Sequence, residues 1–535
     1  MAYYKDLREY IAALEQNGKL QRITSQINKD TELHPLVRLQ FRGLPESQRK
    51  AWHFDNIVDQ RGKKYAIPVV VCAMAGSQEI YALGMQCGSV AEIGDKWVQA
   101  QLHPIEPIMV AGGPCQEEVH VGTTLLEHGG LDEFPIPIST PGFDIAPYFT
   151  SGHWVTKDPE TGIRNVGTYR AQVKAQDRTG MFPASPQQHI NTHWKKCKER
   201  GIPLQAAIVV GCTPNLSYCS VAKIPYGVDE YAVAGGMAGE PMELVRCKTV
   251  DIEVPARAEV IIEGYISTDE VEPEAPFGEF SGYMGQKEFM AYFKVTGITH
   301  RRNPIWQAFL SQFPPSESSK IRRIAWEHNM FKVLVHDEGL KGIKEVVLHE
   351  SSGSLMFCVL HLQHGEADPA AIMRGLSKAG RAIFGKILVL VDDDIDPQDL
   401  ESVVWAMSYR MQPHRDVQII TRDEISGTMD GSVEAPGGAM GRDPRFQNMP
   451  QSSMMIIDAT RKWVYPPVSL PRKDFMERAL AIWEREGLPK LTLKRPWYGY
   501  NLGFWSEEEQ EEANLAVQGR YYETGEKQVG QRKKI

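Results

Sequence analysis

The middle third of the chain breaks into short β-rich runs separated by glycine and proline, and this pattern constrains the fold more than any other feature. From about Val119 onward the runs include Gly152–Thr156, Gln205–Val210, Glu259–Ile266 and Phe293–Thr299. The third of these alternates between two faces, as a strand with one buried side does. The pattern predicts a β-barrel or a β-sandwich with helical insertions.

The segments on either side of this region alternate helical and strand patterns, which is typical of α/β domains. Before it, a helix within Asp6–Leu20, with a stop at Asn17-Gly18, precedes an apolar strand over Tyr65–Cys72 and a helix over Val90–Gln101. After it, the apolar run Ile387–Val391 suits a strand buried on both faces, and a further helix is predicted over Asp474–Arg485. The sequence therefore predicts an α/β domain at 1–118, a β domain at 119–315, a second α/β domain at 316–470 and a helical tail at 471–535.

The composition of the chain indicates which classes of binding partner to exclude and which cellular compartment to expect. The net charge is -9, without the clustered excess of lysine and arginine that a nucleic-acid backbone requires. No apolar stretch approaches the ~20 residues that span a bilayer, and the first residues lack the layout of a signal peptide. The eight cysteines form no Cys-x-x-Cys pair. We expect a cytoplasmic protein with reduced thiols that binds neither nucleic acid nor membranes.

Two carboxylates bracket a short turn in the segment Glu274-Ala-Pro-Phe-Gly-Glu279. Proline and glycine fix the backbone there and could hold the two acids close together. Proximity would separate their pKa values, so that one acid could donate a proton near neutral pH. Further acids at Glu270 and Glu272 make a solvated acidic loop the alternative, and on spacing alone that alternative is favoured.

Three polar segments of the β domain could together hold a metal ion and a phosphate. They are Asn165–Arg170, Gln188-His189 and Gly227–Glu230. An amide oxygen, an imidazole and a carboxylate suit manganese or magnesium better than a metal that prefers thiolates. The alternative is three unrelated polar residues, since a lone histidine is more often a hydrogen-bonded structural residue than a ligand.

A third acidic run, Asp392–Asp396, follows the predicted buried strand. Ligands gather at the carboxyl ends of strands in doubly wound folds, but acidic residues there also cap a following helix. Because Pro397 fits the first position of a helix, the structural role is favoured. The sequence contains no dinucleotide-binding or Walker motif, no serine-nucleophile elbow and no zinc-protease helix motif.

Taken in this order, the segments resemble the UbiD-type decarboxylase family, which includes ferulic acid and other aromatic acid decarboxylases. The resemblance covers most of the chain. Each segment alone is a weak signal, but their order and separations make the resemblance specific. Besides the segments above it runs through Asp6–Ile11, Glu243–Cys247, Val254–Ala256, Val391–Asp396 and Ile457–Thr460.

The resemblance implies that the cofactor is prenylated flavin mononucleotide (FMN), supplied by a separate flavin prenyltransferase. It also implies a divalent metal such as manganese, bound by Asn165, His189 and Glu230, that grips the flavin phosphate. Further positions that the resemblance assigns to cofactor binding are Thr168, Tyr169, Arg170, Gln188 and Lys386.

A potassium ion is implied by the same resemblance. Oxygen atoms around Cys219, Ser220 and Ala222 would hold it, with Glu230 shared between the two ions and Arg410 beside the potassium. The central domain is then expected to be a split β-barrel of the flavin-reductase type. Family members assemble as dimers or hexamers, and we expect a homo-oligomer, with the hexamer favoured.

The catalytic network implied by the resemblance consists of Arg170, Glu274 and Glu279, with Glu279 as proton donor to the substrate. Relatives often carry glycine where this chain has Ala275, a departure that leaves the spacing of the two acids intact. The expected reaction is the non-oxidative decarboxylation of an aromatic or α,β-unsaturated carboxylic acid.

Several alternatives remain open at this point. A carboxylase would run the same chemistry in reverse, a flavin-binding protein without activity would lack Arg170 or Glu279, and a flavin reductase would need a nicotinamide site. The substrate is equally open among benzoates, phenolic acids, heteroaromatic acids and aryl coenzyme A thioesters. Its pocket is predicted to include Ser185, Gln188, Phe280 and the loop 426–441.

Overall fold

The computed structural model describes most of the chain. Ser185 and, apart from residues 430 and 432, the loop 426–441 lie outside the described residues, so two predictions about the substrate pocket concern parts that the structure does not describe. For residues 377–379 and 422 only the backbone is described. The described ranges are 2–183, 188–354, 356–379, 385–422, 430, 432 and 452–534.

The N-terminal region packs helices against a four-stranded sheet. Three strands come from this region and the fourth, Trp306–Ala308, arrives from far along the chain, so this unit is not confined to residues 1–118. The elements are α1 (Leu7–Gln16), β1 (Leu20–Ile23), β2 (Ile27–Asn28), α2 (Leu33–Gly43), β3 (Ala51–Phe54), β4 (Ile57–Val58), β5 (Lys64–Tyr65), β6 (Val69–Val71), α3 (Gln78–Gly84) and α4 (Ile93–Leu102).

Local sequence explains where these elements begin and end. The Asp6 carboxylate caps α1 by accepting the Arg8 and Glu9 N–H groups, both at 3.0 Å, and the helix stops before Gly18. The prediction of one strand over Tyr65–Cys72 is wrong. Pro68 interrupts it, because proline has no N–H for the ladder, and β5 and β6 join different sheets.

The central region forms a nine-stranded sheet, and the strands predicted for it are confirmed. Alternate residues of its long strands enter different apolar cores, so Ile261 and Ile262 pack on opposite faces. The region also contains strands of other sheets. The elements of this part of the chain are β7 (Ile108–Met109), β8 (Glu118–Val121), α5 (Thr124–Glu127), β9 (Tyr148–Phe149), β10 (His153–Lys157), β11 (Arg164–Thr168), β12 (Ala171–Ala175), β13 (Arg178–Gly180), α6 (His189–Glu199), β14 (Leu204–Val210), α7 (Pro214–Cys219), α8 (Glu230–Ala238), β15 (Glu243–Arg246), β16 (Glu253–Pro255), β17 (Val260–Glu274), β18 (Glu288–His300) and β19 (Trp306–Ala308).

The order of strands in the central sheet is β11-β10-β14-β17-β18-β13-β12-β9, with β8 paired to β18. All of these neighbours pair in antiparallel fashion. The short strands β15, β16 and β7 make a separate three-stranded sheet. The molecule is therefore a mixed α/β protein with a large antiparallel sheet at its centre.

The third region is a five-stranded sheet of order β20-β21-β22-β24-β23. Its central strand β22 is apolar and buried from Leu388 to Val391, as predicted. The acidic run after it does not start a helix at Pro397; the next helix begins at Leu400 and is capped by Asp399. The elements are α9 (Glu317–Phe331), β20 (Ile343–Leu348), β21 (Phe357–Leu362), α10 (Pro369–Ala379), β22 (Ile387–Asp392), α11 (Leu400–Arg410), α12 (Pro413–Asp416), β23 (Val417–Arg422) and β24 (Ser452–Asp458).

The tail consists of three helices, none of which contains a buried residue: α13 (Lys473–Arg485), α14 (Glu507–Val517) and α15 (Tyr521–Val529). The capping box at the start of α14 is confirmed, since Ser506 Oγ accepts the Glu509 N–H at 3.1 Å and Glu509 Oε2 accepts the Ser506 N–H at 2.7 Å. Among the described residues, no helix combines the length and apolar character that crossing a membrane requires.

Candidate active site

Arg170 lies between two buried carboxylates. Its Nη2 donates to Glu274 Oε2 at 2.8 Å, its Nε donates to Glu274 Oε1 at 3.3 Å, and its Nη1 donates to Glu279 Oε1. Glu274 ends β17 and Glu279 follows on the next loop. Glu274 is 0% exposed and Glu279 is 5% exposed, so the solvated acidic loop that spacing alone favours is wrong.

Burial and charge act in opposite directions on this group. Burial raises the pKa of Glu274, and the Arg170 guanidinium offsets only part of that effect. Burial also lowers the pKa of Arg170, but the Glu279 and Glu274 carboxylates outweigh it, so the pKa of Arg170 is raised overall. The guanidinium therefore stays charged and holds both acids in place through charge-assisted hydrogen bonds.

A second arginine faces the same group from helix α9. The Arg322 guanidinium packs over the Phe280 ring, with its central carbon 3.9 Å from the ring centroid. Burial lowers the pKa of Arg322, and the nearby Glu279 carboxylate offsets only part of that effect. The Arg322 Nη1 atom is buried without a hydrogen-bond partner among the described residues. A buried guanidinium with a free donor is suited to receiving an anionic ligand.

Arg170, Glu279 and Arg322 line a cleft, here called the aromatic cleft, of about 590 Å³ including its open mouth, and Glu274 lies buried behind Arg170. Arg170 packs over the Phe182 ring at 3.6 Å, measured from its central carbon to the ring centroid. The aromatic walls and the two guanidinium groups together suit a flat ligand that carries a carboxylate. The walls are formed by Phe182, Phe277, Phe280 and Phe309.

The turn that carries Glu279 is held from two sides. Ala275 is fully buried and has φ of 78°, in the left-handed region that favours glycine. The Asp144 carboxylate accepts the Thr140 N–H at 2.6 Å and the Gly278 N–H at 3.0 Å. Burial raises the pKa of Asp144 to about 6, although these bonds favour its ionised form. The turn is therefore fixed by buried polar contacts rather than left free in solvent.

Asn165 and Glu230, two of the three residues predicted to bind a divalent metal, lie near the Tyr169 hydroxyl. Burial raises the pKa of Tyr169, the Asn165 side chain and the Ile190 backbone lower it, and Glu230 raises it further. His189 is the first residue of α6, directly before Ile190, and Glu230 is the first residue of α8. The three predicted ligands thus come from β11, α6 and α8.

Glu230 is a buried carboxylate without a cationic partner among the described residues. It is 3% exposed, and its Oε2 accepts the Val166 N–H at 2.9 Å. Burial raises the pKa of Glu230 to about 8, and no cationic side chain in the described part of the chain offsets this rise. The buried Asn165 Nδ2 and Gln188 Oε1 atoms also have no hydrogen-bond partner among the described residues. A bound cation would satisfy the Glu230 carboxylate and Gln188 Oε1, whereas Asn165 Nδ2 is a hydrogen-bond donor and would suit an anion such as a phosphate.

The residues predicted to hold potassium adjoin the same carboxylate. Burial raises the pKa of the Cys219 thiol, and Glu230 raises it further, which places the two side chains near each other. The Cys219 carbonyl accepts the Ala222 N–H at 3.2 Å, and the Ser220 carbonyl accepts the Thr168 N–H at 2.9 Å. Each carbonyl keeps a second lone pair for an ion.

His153 was not predicted and organises this corner of the site. Its Nδ1 lies 2.8 Å from Thr168 Oγ1 and 2.9 Å from Ser220 Oγ, and its Nε2 lies 3.0 Å from Ser217 Oγ. Burial lowers the pKa of His153 to about 3, so the ring is neutral. It fixes the hydroxyl groups beside the predicted potassium site without adding a charge.

Two predicted residues make their contacts elsewhere. Arg410 forms a two-pronged ion pair with Asp394, at 2.8 and 2.7 Å, in the third region. Among the described residues it has no contact with Ser220 or Glu230, so the prediction that it lies beside the potassium is not supported by its side chain. Lys386 pairs with Asp430 Oδ2 at 2.6 Å and with Ser432 Oγ at 2.6 Å rather than with the aromatic cleft.

The acidic run beside Arg410 has a structural role, but it acts through ion pairs and hydrogen bonds rather than by capping a helix at Pro397 as predicted. Asp392 Oδ2 accepts the backbone N–H of Arg461 at 2.7 Å and the Nε–H of the same arginine at 3.0 Å. The Tyr500 hydroxyl donates to Asp394 Oδ2 at 2.8 Å.

Sequence reasoning also missed Arg322 and Asp144. No local pattern indicates either residue, because their importance comes from contacts across the fold.

Comparison with known proteins assigns the chain to a family. Residues 108–313 match the 3-octaprenyl-4-hydroxybenzoate carboxy-lyase Rift-related domain, and residues 326–459 match the corresponding C-terminal domain. An uncharacterised protein of Archaeoglobus fulgidus is 30% identical over 483 residues, covering 86% of this chain and 92% of the relative.

Solved structures agree with this assignment. The UbiD-class enzyme HmfF from Pelotomaculum thermopropionicum, in an evolved dimeric form in complex with prenylated FMN, is 29% identical with a TM-score of 0.74, over 89% of this chain and 100% of that one. Vanillic acid decarboxylase from Sedimentibacter hydroxybenzoicus is 27% identical with a TM-score of 0.74, over 91% of this chain and 100% of that one.

The chain belongs to the UbiD-type decarboxylase family, as its sequence motifs predicted. It is accordingly an enzyme of the carboxy-lyase class.

Proposed function

We propose that this enzyme removes carbon dioxide from an aromatic or α,β-unsaturated carboxylic acid, with prenylated FMN as its cofactor. The observation that carries the proposal is the buried Arg170–Glu274–Glu279 group at the end of the aromatic cleft. A related structure, HmfF, is a complex with prenylated FMN, and vanillic acid decarboxylase acts on an aromatic acid by its name. The substrate class extends to an aryl coenzyme A thioester.

The cofactor would lie near the corner formed by β11, α6 and α8. Asn165, His189 and Glu230 would bind manganese or another divalent ion, which in turn would hold the flavin phosphate. Support comes from Glu230, whose pKa of about 8 reflects a buried carboxylate without a counter-charge. Oxygen atoms of Cys219, Ser220 and Ala222 would hold potassium. Thr168, Tyr169 and Gln188 border both the cleft and this corner.

When bound, the cofactor supplies an electron sink for the charge that remains after carbon dioxide leaves an sp² carbon. The protein's own residues position the reactants. Arg170 and Arg322 would orient the substrate carboxylate, and the phenylalanine walls would hold its flat ring and exclude water. Arg170 also keeps Glu279 at the end of the cleft, where Glu279 would donate a proton to the carbon that loses the carboxylate.

The alternatives differ in the role of this charged group. A flavin-binding protein without activity, or a flavin reductase, has no use for a buried arginine held by two acids beside an aromatic cleft. A carboxylase would use the same residues in reverse, and bicarbonate concentration would set the direction. We also infer that the central sheet is a split barrel of the flavin-reductase type and that the chain assembles as a homo-oligomer, with a hexamer favoured over a dimer.

The test is co-expression with and without a flavin prenyltransferase, followed by a carbon dioxide release assay on a panel of aromatic acids. Protein made with the prenyltransferase should turn over at least one acid. Protein made without it should be inactive and should regain activity when prenylated FMN is supplied. Equal turnover with ordinary FMN, or without any flavin, would contradict the proposal.

A further inference from the structure

A cluster of three histidines and one glutamate lies on the β8 side of the central sheet, apart from the residues that line the aromatic cleft. His120, His128 and Glu133 each offer one ligand atom, and these atoms all lie within 4.8 Å of one another. His300 completes the group, with its Nε2 3.4 Å from Glu133 Oε1. The cluster is called the His–Glu cluster below.

The sheet register and a glycine pair bring these residues together. In the antiparallel pairing of β8 with β18, His120 stands opposite Ile298, so His300 is its diagonal neighbour on the same face. His128 ends the short helix α5, and Gly129 and Gly130 follow with φ of 89° and 56°. A side chain at Gly130 would lie 2.2 Å from the Gln176 carbonyl oxygen, so the chain can reverse there only with glycine.

The polar atoms of the cluster are close but do not satisfy one another. His120 Nδ1 lies 3.2 Å from Glu133 Oε2, yet both atoms are buried without a hydrogen-bond partner in the described part of the chain. The rings of His120 and His128 stack face to face, with centroids 3.8 Å apart. One ligand atom of each of the three residues lies within 4.8 Å of the others, but the two parallel rings would have to open for their nitrogens to converge on one ion.

The distances fit a small tetrahedral ion. Bonds of about 2.0–2.1 Å from zinc to nitrogen or oxygen place neighbouring ligand atoms roughly 3.3 Å apart. The separation between His120 Nδ1 and Glu133 Oε2 is 3.2 Å and already matches this value, and the exposed His128 ring would have to turn out of its stack on His120 to direct a nitrogen at the same point. Nitrogen-rich ligands with one carboxylate suit zinc, cobalt or nickel rather than magnesium or calcium.

We propose that His120, His128 and Glu133 bind one divalent transition-metal ion of the zinc class, with water at the open position beside His128. His300 positions the ligand carboxylate. Its Nδ1 lies 2.8 Å from the Arg301 carbonyl, to which it donates, and its Nε2 faces the second oxygen of Glu133. The ion ties the segment from α5 to Glu133 onto β8, and this binding is independent of the proposed decarboxylase activity.

The test is zinc binding by the full chain, stripped of metal with a chelator and titrated against a chromophoric zinc indicator. Wild type should bind one equivalent that His128→Ala loses or binds at least tenfold more weakly. His128 is exposed, so this variant should fold. His103→Ala, which removes another exposed histidine, should bind like wild type. Equal zinc binding by wild type and His128→Ala, or none by wild type, would overturn the proposal.

A second variant and a spectroscopic probe separate this site from the proposed cofactor metal. Glu133→Gln keeps the size of the side chain but should weaken binding at least tenfold. Cobalt bound to wild type should give the visible absorption of a four-coordinate ion, and this signal should vanish in His128→Ala and Glu133→Gln but persist in Glu230→Gln. Loss of the signal only in Glu230→Gln would assign the ion to the other site and overturn the proposal.

Discussion

Arg170 and Arg322 differ in whether their guanidinium groups already have hydrogen-bond partners in the protein. Arg170 is committed to Glu274 and Glu279, whereas the Nη1 of Arg322 is buried without a partner in the described chain. A buried donor without a partner is costly to the free protein, and a ligand carboxylate would remove that cost on binding. We therefore expect the unpaired arginine to contribute to substrate affinity, and the paired arginine to orient the substrate while it fixes the geometry of the acids.

The first prediction follows from this difference. Arg322→Gln should raise KM by roughly 10–100-fold, because a hydrogen bond to a charged group contributes about 1.5–3 kcal/mol, while kcat should change much less. Steady-state kinetics of the cofactor-loaded enzyme measure this. Arg302→Gln, at a side chain that is 74% exposed, is the control. An unchanged KM in Arg322→Gln would show that this arginine does not bind substrate.

At the scale of elements, α9 is anchored to the N-terminal sheet by one buried residue. The Glu317 carboxylate accepts the N–H groups of Cys72 at 2.9 Å, Met74 at 3.0 Å and Leu310 at 3.2 Å. Burial raises the pKa of Glu317 to about 7, although these bonds favour the charge. Because Arg322 lies on the same helix, this anchor also sets the position of one wall of the cleft.

The second prediction concerns this anchor. Glu317→Ala should lower the free energy of unfolding by more than about 3 kcal/mol, since three buried N–H groups lose their acceptor at about 1–3 kcal/mol each. Urea unfolding measures the change. Glu338→Ala changes an exposed residue seven positions after the end of α9. Its free energy of unfolding should lie within about 0.5 kcal/mol of wild type. Similar stability of the two variants would contradict the role assigned to Glu317.

The third prediction tests the corner where α6 and α8 begin. His189→Ala and Glu230→Ala should each lose manganese and flavin together, because the ion would join the flavin phosphate to the protein. Metal analysis and flavin absorbance per chain measure both. Glu240→Ala, at an exposed residue after α8, should retain both. A variant that lacks metal but keeps its full flavin content would show that the ligand set is wrong.

The elements show what the sequence could and could not predict. β14 and β22 are found where apolar runs predicted them, because burial on two faces leaves an unbroken pattern. The acids around Ala275 read as solvated on spacing alone, since their burial depends on Asp144, Arg170 and Arg322, which are distant in sequence. The family resemblance, rather than local spacing, identified Glu279 as a candidate proton donor.

The His–Glu cluster illustrates the same limit. No periodicity or motif links residues 120, 128, 133 and 300, because the last of them joins only through the pairing of β18 with β8. Likewise Arg410 follows the family pattern in sequence, but its guanidinium is taken up by Asp394. Sequence order identifies candidates, and the contacts decide which of them share a site.

At the scale of the whole molecule, the tail is the least buried part of the described chain. Its helices α13, α14 and α15 contain no buried residue, and the tail exposes large apolar side chains, among them Phe504 at 63%, in the segment before α14, and Tyr522 at 74%, in α15. Exposed large apolar side chains such as these are candidates for an interface. A second copy of the chain is the expected partner, in line with the predicted homo-oligomer.

The fourth prediction is that the tail carries this assembly. Light scattering after size-exclusion chromatography should give wild type a mass of several chains. The double variant Phe504→Asp with Tyr522→Asp should give a smaller species, because buried charge opposes association. Tyr409→Asp, an equally exposed aromatic residue outside the tail, is the control. A monomeric wild type, or an unchanged mass in the double variant, would contradict the prediction.

The central claim is that Glu279, held by Arg170 at the end of the aromatic cleft, donates the proton that completes decarboxylation. The most direct measurement is carbon dioxide release by the cofactor-loaded Glu279→Gln variant, compared with Glu288→Gln, whose glutamate is exposed on β18. Glu279→Gln should fold and bind cofactor, yet its turnover should fall by roughly 10²–10⁴-fold, the usual contribution of a positioned general acid. Exchange of the product's ring proton with deuterated water should fall with it, while Glu288→Gln stays near wild type. Near-normal turnover of the loaded Glu279→Gln variant would contradict the claim.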